Sequence, residues 1–342
     1  MNNTRFSRFM DALNGEPDDR VPIVPSISGW AAVNFSDAPL AETARDPKRI
    51  IGAQIKAMEM AGYDAFFGCA DALYVPEAFG CKIRFATTGP IADPLSVEIT
   101  SPEDIDKIRI PDPRKDGRLP VIHETIRGLN AYGRGDVPVL GLFEAAFTTT
   151  CRLFEPDLIL RMIYKNRPLL ESLLDRINDF LLAFGLTLVE SGANGIFLPD
   201  PTASSTMISP IMFKQLVLPR LKRLIGKLDV PCILHICGNT APILKMMEET
   251  GAAVLSLDQC MGLSESRSMV PKAVLGGNVD PVESLLLGNP GKVAEDTLHC
   301  LRTAGTSRFI LMSGCGVPPK TPVENLKAMV ETAKSYGLGP LC

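Results

Sequence analysis

Eight short apolar segments alternate with longer stretches of helical pattern along the 342-residue chain. This alternation is typical of a mostly parallel sheet whose strands are joined by helices. The predicted strands are Val21–Pro25, Asp64–Phe67, Val137–Leu142, Gly195–Leu198, Cys232–His235, Val254–Leu257, Ala273–Leu275 and Phe309–Met312. Eight βα units favour a closed barrel, and no G-x-G-x-x-G follows an early strand to favour a doubly wound sheet. The sequence therefore predicts one α/β domain over residues 1–342, a (β/α)8 or TIM barrel.

Helix starts between these strands are indicated by an N-cap residue followed by proline, which needs no N–H partner in the first turn. The pairs are Asp46-Pro47, Ser101-Pro102, Ser209-Pro210 and Thr321-Pro322. Glu324 follows the last pair at the spacing of a capping box with Thr321. An amphipathic N-terminal helix is expected over residues 1–15, ended by Gly15. Residues 68–136, which are rich in proline, are expected to form an elaborated loop region after the second strand.

Charge and apolar pattern exclude several classes of function. Acidic side chains outnumber basic ones by 39 to 35, so the chain lacks the positive field that attracts nucleic acid. The longest mainly apolar run, Phe180–Val189, is far shorter than the roughly 20 residues that span a bilayer, and the opening MNNTRFSRFMDALNGEPDD holds no apolar signal core. We therefore expect a cytoplasmic protein without nucleic-acid or membrane partners. Its nine cysteines, which form no C-x-x-C pair, are then expected to be mostly reduced.

Polar side chains follow almost every predicted strand. The active site of a (β/α)8 barrel lies at the C-terminal ends of the strands, so these residues are candidates for function. They are Ser26, Ser28, Asp71, Glu144, Asp200, His235, Cys237, Asn239, Asp258, Gln259, Ser313 and Cys315. The sequence therefore predicts a polar barrel mouth that contains both histidine and cysteine.

The triplet His235-Ile236-Cys237 is the sharpest local signal, because residues two apart on an extended strand point to the same face. Cys315 follows the last strand, beside the first one in a closed barrel, so the three side chains are expected to converge. One imidazole and two thiolates make a zinc site with a fourth position left for substrate. A chance H-x-C triplet among core residues is the alternative. Gly238 and Gly314, next to the two cysteines, favour the site because glycine lets the backbone turn sharply.

Several longer motifs resemble a known family. LHICGNTAPIL, the IFLPDPTAS loop, GGNVDP and SGCGVPPKTPVENLKAMV are similar to the uroporphyrinogen decarboxylase superfamily, and within it to the methylcobamide:coenzyme M methyltransferases. The resemblance extends over nearly the whole chain. It implies a (β/α)8 fold and a zinc ion held by His235, Cys237 and Cys315. It also implies a methylated corrinoid carrier protein as methyl donor and a small thiol such as coenzyme M as acceptor.

The chain departs from the family pattern at two places. The decarboxylases carry arginines after the first strand, where this chain reads VPSISGWAAV, so tetrapyrrole decarboxylation is disfavoured. The methyltransferases carry two glutamates after the sixth strand, where this chain has Asp258 and Gln259. Asp258 is therefore the candidate fourth zinc ligand, or else a carboxylate that only steadies the mouth. Asp200 and Glu144 match family positions near the mouth, and with Asn239 they are the candidate catalytic residues, or else they organise the loops.

A shell with two thiolates favours alkyl transfer over hydrolysis, because the thiolates lower the charge of zinc and keep a bound substrate sulfur nucleophilic. The leading hypothesis is a zinc-dependent, corrinoid-dependent thiol methyltransferase. The alternatives are methyl transfer to another acceptor such as tetrahydrofolate, a uroporphyrinogen-like decarboxylase, and a non-catalytic protein that binds zinc or a corrinoid carrier. Cys237 and Cys315 could instead form a redox pair. Related decarboxylases also imply a homodimer.

Overall fold

A computed structural model describes residues 3–16, 19–86, 89–96 and 99–337. Within these ranges the chain forms nine strands. They are β1 (Phe66–Phe67), β2 (Lys82–Ala86), β3 (Gly89–Asp93), β4 (Val139–Leu142), β5 (Gly195–Pro199), β6 (Cys232–His235), β7 (Val254–Ser256), β8 (Val274–Val279) and β9 (Phe309–Ser313). Seven of them form one parallel sheet in the order β1-β4-β5-β6-β7-β8-β9, and β2 pairs with β3 as an antiparallel hairpin. The observed architecture is that of a TIM-like α/β barrel.

Helices connect the strands of the parallel sheet. They are α1 (Arg5–Asn14), α2 (Ser28–Phe35), α3 (Leu40–Thr43), α4 (Pro47–Ala61), α5 (Tyr74–Phe79), α6 (Pro102–Asp106), α7 (Leu119–Gly133), α8 (Ala146–Leu153), α9 (Pro156–Lys165), α10 (Arg167–Glu190), α11 (Pro210–Met212), α12 (Leu218–Ile225), α13 (Leu244–Glu248), α14 (Leu263–Met269), α15 (Pro290–Ala304) and α16 (Val323–Tyr336). Short 3₁₀ turns lie at Pro201–Ala203 and Ala241–Ile243, and π turns lie at Phe213–Val217 and Pro281–Leu286. None of the helices in the described ranges is both long and apolar enough to cross a membrane.

The predicted first strand, Val21–Pro25, closes the barrel without forming a regular strand. Val24 N–H donates to the Leu311 carbonyl over 2.8 Å, and Leu311 N–H donates to the Pro22 carbonyl over 2.9 Å. On the other side, Asp64 N–H donates to the Ile23 carbonyl over 2.8 Å. The segment thus occupies the eighth barrel position, between β9 and the entry to β1. Its two prolines supply no N–H donors, which prevents a continuous ladder.

The other predicted strands are all present, and Cys232–His235 is confirmed at both ends. Every residue of β4, β6, β7, β8 and β9 is buried. Burial on both faces is the ordinary condition of parallel strands covered by helices. It also explains why these strands read as continuous apolar runs in the sequence.

The region after β1 is more regular than the predicted loop. Residues 68–136 contain α5, the β2–β3 hairpin, α6 and the amphipathic helix α7. Asp46 and Ser209 cap their helices as predicted, and Ser101 forms a capping box with Asp104. The capping box predicted for Thr321 is absent, because the chain is still extended at Pro322 and α16 begins at Val323 without a side-chain cap.

The N-terminal ends of the strands are held by α1 and a buried carboxylate. The helix begins after Thr4, which forms a capping box with Ser7, and ends at Gly15 with a φ of 75°. Asp64, just before β1, is fully buried and accepts two hydrogen bonds from Arg20, over 2.6 and 2.8 Å. Ion pairs from Arg8 of α1 and from Arg20, just before the Val21–Pro25 segment, therefore tie these parts of the chain to Asp64 at the bottom of the barrel.

Candidate metal centre and barrel mouth

The structure brings His235, Cys237 and Cys315 together at the C-terminal ends of the strands. His235 is the last residue of β6, and Cys315 lies two residues beyond β9. His235 Nε2 is 3.3 Å from Cys237 Sγ, and the two sulfurs are 3.8 Å apart. One nitrogen and two sulfurs lie within 4.8 Å of one another. This is the one group of three or more such side chains that can hold a metal within the described part of the chain.

Two glycines make this convergence possible. Gly238 has a φ of 76°, so the chain reverses directly after Cys237. Gly314 lies so close to the loop after β7 that a Cβ would be 2.6 Å from the Gln259 backbone nitrogen. The chain before Cys315 can therefore enter the mouth only with glycine at this position.

The imidazole of His235 is oriented by Ser256 at the end of β7. His235 Nδ1 is 3.3 Å from the Ser256 carbonyl oxygen and 3.2 Å from its Oγ. Because the carbonyl can only accept, the ring proton belongs on Nδ1 and the Nε2 lone pair faces the two sulfurs. Histidine ligands of metals are commonly fixed by such a second hydrogen bond.

The two thiols share their protons unequally. A hydrogen bond from Cys237 lowers the pKa of Cys315 below its usual value. The same contact, with burial, raises the pKa of Cys237. Cys315 is therefore the sulfur that ionises more readily, and a thiolate is the form of cysteine that binds metals.

The spacing of these atoms fits zinc. Two sulfurs that are each about 2.3 Å from a tetrahedral zinc ion lie about 3.8 Å apart, and a sulfur and an imidazole nitrogen lie about 3.6 Å apart. The corresponding distances here are 3.8 and 3.3 Å. The donor set of one nitrogen and two sulfurs is also one that zinc prefers. The residues present therefore suit the ion that the sequence predicts.

Asp258 and Asn239 lie beside this group but use their oxygens locally. Asp258 Oδ2 accepts from Gly238 N–H over 2.8 Å, and its Oδ1 accepts from Cys260 N–H over 3.0 Å. Asn239 is exposed, and its Oδ1 accepts from Ala241 N–H over 3.1 Å. The observed contacts of Asp258 hold the loops after β6 and β7 together.

Asp200 is fully buried behind the mouth. Its Oδ1 accepts from Thr148 N–H over 2.9 Å and from Thr148 Oγ1 over 2.6 Å, and its N–H donates to the His235 carbonyl over 2.8 Å. Its Oδ2 has no hydrogen-bond partner among the described residues. Burial raises the pKa of Asp200 to about 7 in spite of the Thr148 hydrogen bonds. The side chain links the end of β5 to α8 and does not join the metal-binding group.

Glu144 lines a cavity of about 350 Å³ at the mouth, together with Arg152. Arg152 Nε donates to Glu144 Oε2 over 3.1 Å, and Arg152 Nη2 donates to Oε1 over 3.0 Å. Sequence reasoning selected Glu144 but missed Arg152. The available signal was the position of Arg152, two helical turns beyond Glu144 on the helix that follows the strand.

Asp71 lines the same cavity and is paired with a buried arginine. Arg118 Nη1 is 2.5 Å from Asp71 Oδ2, and Arg118 Nη2 is 3.1 Å from Oδ1. Arg118 also contacts Glu77. Arg118 lies on the chain just before α7, far from any predicted strand end, so the sequence pattern did not point to it.

The sequence profile of uroporphyrinogen decarboxylase (URO-D) matches residues 4–336. The chain belongs to the uroporphyrinogen decarboxylase family. This chain is 31% identical over 340 residues to the methylcobamide:CoM methyltransferase MtbA of Methanosarcina acetivorans, and the match covers 97% of this chain and 98% of that protein. It is 28% identical over 343 residues to a uroporphyrinogen decarboxylase of Trichlorobacter lovleyi, covering 95% and 97%.

A solved structure described as a methyltransferase from Methanosarcina mazei has the same fold. Its TM-score is 0.90 at 28% sequence identity, and the match covers 97% of this chain and 99% of that chain. The resemblance predicted from HICGN and SGCG motifs is therefore confirmed at the level of family and fold. Relatives named as methyltransferases and relatives named as decarboxylases both match over nearly the full length. The choice between the two reactions therefore has to be argued from the residues of the site.

Proposed function

We propose that this protein transfers a methyl group from a methylated corrinoid on a carrier protein to a small thiol, with zinc held by His235, Cys237 and Cys315. The observation that carries the proposal is the convergence of one imidazole nitrogen and two cysteine sulfurs within 4.8 Å at the barrel mouth. The relatives named as methylcobamide:CoM methyltransferases support both the donor and a thiol such as coenzyme M as acceptor.

Zinc bound at this group supplies a thiolate at neutral pH, because coordination deprotonates a thiol outright. In the overall reaction the carbon–cobalt bond breaks with both electrons left on cobalt, so that Co(III) becomes Co(I). The thiol sulfur forms the new bond to the methyl carbon and its proton is released. Atoms and charge balance without an oxidant or reductant.

The residues around the site have distinct parts in this proposal. The hydrogen bond from His235 to Ser256 keeps the Nε2 lone pair aimed at the metal position. Cysteine ligands lose their protons when a metal binds, so metal affinity is expected to rise with pH. Asp258 joins the loops after β6 and β7, and it is the candidate fourth ligand if Gly238 and Cys260 release its oxygens.

The candidate catalytic residues fall into two groups by position. Glu144 lines the mouth cavity, where its carboxylate orients Arg152. Asp200 and Asn239 act on the loops: Asp200 joins β5 to α8, and Asn239 fixes the turn after Cys237 through Ala241. A porphyrinogen carries several carboxylates, whereas Arg152 is the one basic side chain among the described residues that line this cavity. This argues for methyl transfer over decarboxylation.

Metal content and methyl transfer test the proposal together. Purified protein is expected to hold about one zinc per chain, measured by mass spectrometry of the metal, and to demethylate methylcobalamin when a thiol is added. His235→Ala is expected to lose both zinc and at least a thousandfold in rate. His299→Ala is the matched control, since His299 is exposed and lies on α15.

Retention of zinc and activity by His235→Ala would contradict the assignment. An acceptor panel separates the remaining alternatives. Methyl transfer to tetrahydrofolate but not to thiols would favour the alternative in which the acceptor is not a thiol. Decarboxylation that survives chelation would favour the decarboxylase. Zinc binding with methylcobalamin intact in every thiol would favour a non-catalytic protein.

A further inference from the structure

The cavity at the mouth extends from the metal-binding loop to a guanidinium group. Its lining includes Gly316, which directly follows Cys315, the hydroxyl-bearing Ser26 and Ser28, and the pair Glu144 and Arg152. Its volume is about 350 Å³, at the lower end of the range for small-molecule sites. The cavity therefore reaches the residue next to Cys315 on one side and Arg152 on another.

Arg152 is held by one edge only. Its Nε and Nη2 bind the two oxygens of Glu144 over 3.1 and 3.0 Å. The Glu144 side chain is 7% exposed, whereas that of Arg152 is 45% exposed. A guanidinium has five N–H donors, of which this forked contact uses two. Nη1 has no hydrogen-bond partner among the described residues, so the outer edge of a fixed guanidinium faces the cavity.

The acidic groups of the cavity are already neutralised. Glu144 is paired with Arg152 itself, and Asp71 is paired with the buried Arg118 over 2.5 and 3.1 Å. The outer edge of Arg152 is therefore the cationic donor group left for a ligand. Two parallel N–H donors on a planar guanidinium match the oxygens of a sulfonate or carboxylate.

We propose that the outer edge of Arg152 binds an anionic head group, so that the protein selects small thiols that carry a sulfonate or carboxylate over neutral or cationic thiols. The selection of a thiol rests on the proposed function, but the anion site does not. The forked contact with Glu144 fixes the guanidinium in advance, so little side-chain freedom is lost when the anion binds.

Equilibrium binding to the metal-free protein tests the anion site by itself. Propane-1-sulfonate, which has no thiol, is titrated calorimetrically into wild type, Arg152→Gln, Arg152→Lys and the control Arg167→Gln. Arg167 forms a comparable pair with Glu171 outside the cavity. We expect saturable binding by wild type and the control, at least tenfold weaker binding by Arg152→Gln, and an intermediate loss in Arg152→Lys. Absence of saturable binding in wild type, or equal binding by Arg152→Gln, overturns the proposal.

Kinetics on the zinc-loaded protein test selectivity. Methylcobalamin demethylation is followed with 2-mercaptoethanesulfonate, 3-mercaptopropionate, 2-mercaptoethanol and 2-aminoethanethiol. Arg152→Gln is expected to lower kcat/KM at least thirtyfold for the two anionic thiols, mainly through KM, and less than threefold for 2-mercaptoethanol. An equal loss for all four thiols overturns the proposal. If no thiol reacts in wild type, the proposed function fails and the binding experiment still decides the anion site.

Discussion

The two ends of the barrel treat charge in opposite ways. At the bottom, Asp64 receives two hydrogen bonds from Arg20 and one from the Ile23 N–H, with Arg8 and Arg5 within 3.5 and 3.7 Å. At the mouth, two cysteine sulfurs lie 3.8 Å apart beside the His235 ring, and Arg152 Nη1 has no hydrogen-bond partner among the described residues. Complete pairing at the bottom serves stability. Incomplete pairing at the mouth leaves donors and lone pairs that a ligand can satisfy.

The largest effect on stability is expected at the bottom. Asp64→Ala leaves Arg20 buried without its carboxylate, and breaking a buried pair in this way costs about 3 to 5 kcal/mol. Urea unfolding monitored by circular dichroism gives the free energy of unfolding. Asp93→Ala, which breaks the exposed pair with Arg84, is the control and should change the free energy of unfolding far less, because water and salt screen an exposed pair. Equal costs for the two variants would mean that the buried ion pairs of Asp64 stabilise the fold no more than an exposed pair does.

A smaller and pH-dependent effect is expected from Asp200, whose buried Oδ2 has no hydrogen-bond partner within the described ranges of the chain. Its pKa of about 7 in the folded chain is above the value of 3.8 for an exposed carboxyl. The folded state therefore binds this proton more tightly, and the stability gained from it is full below pH 4 and lost as the pH rises through 7. Asp200→Asn should gain on the order of 2 kcal/mol relative to wild type between pH 5 and pH 8.

Thermal or urea unfolding of both proteins at the two pH values measures this difference. Other titrating groups are common to wild type and variant, so their contributions cancel in the comparison. Asp175→Asn, at a half-exposed carboxyl, is the control for the Asp-to-Asn substitution itself. A pH-independent difference for Asp200→Asn would show that the carboxyl is ionised throughout this range.

The smallest effect is expected from Ser256→Ala. The variant removes the Oγ that lies 3.2 Å from His235 Nδ1 but keeps the backbone carbonyl at 3.3 Å. Removing the hydrogen-bond partner of a metal-binding histidine costs about 10- to 100-fold in metal affinity. Because the backbone carbonyl of residue 256 remains as an acceptor, the loss in this variant should stay below about tenfold. Competition with a chelator measures the zinc affinity. A loss of a hundredfold would assign the orienting bond to the hydroxyl.

The sequence predicted the barrel and the metal-binding group because both depend on local patterns. Buried strands give apolar runs, and the position just after a strand places His235, Cys237 and Cys315 at one mouth. Arg152 escaped prediction because its partner and its open edge depend on how α8 packs over the cavity. The prediction that Thr321 caps the last helix was wrong because the backbone at Pro322 is still extended. A residue pattern typical of a helix cap does not by itself fix that backbone conformation.

The closure at Val21–Pro25 has a consequence for how the barrel opens. This segment is joined to its neighbours by few backbone hydrogen bonds. The loop that carries Cys315 is attached directly after it, because Val317 N–H donates to the Ser26 carbonyl over 2.8 Å. An ion held by His235, Cys237 and Cys315 would connect β6 to the loop after β9, the strand next to this segment. Metal binding would thus stabilise the part of the barrel with the fewest backbone hydrogen bonds. Removal of the metal should first increase the rate of amide hydrogen exchange at Val24 and Leu311.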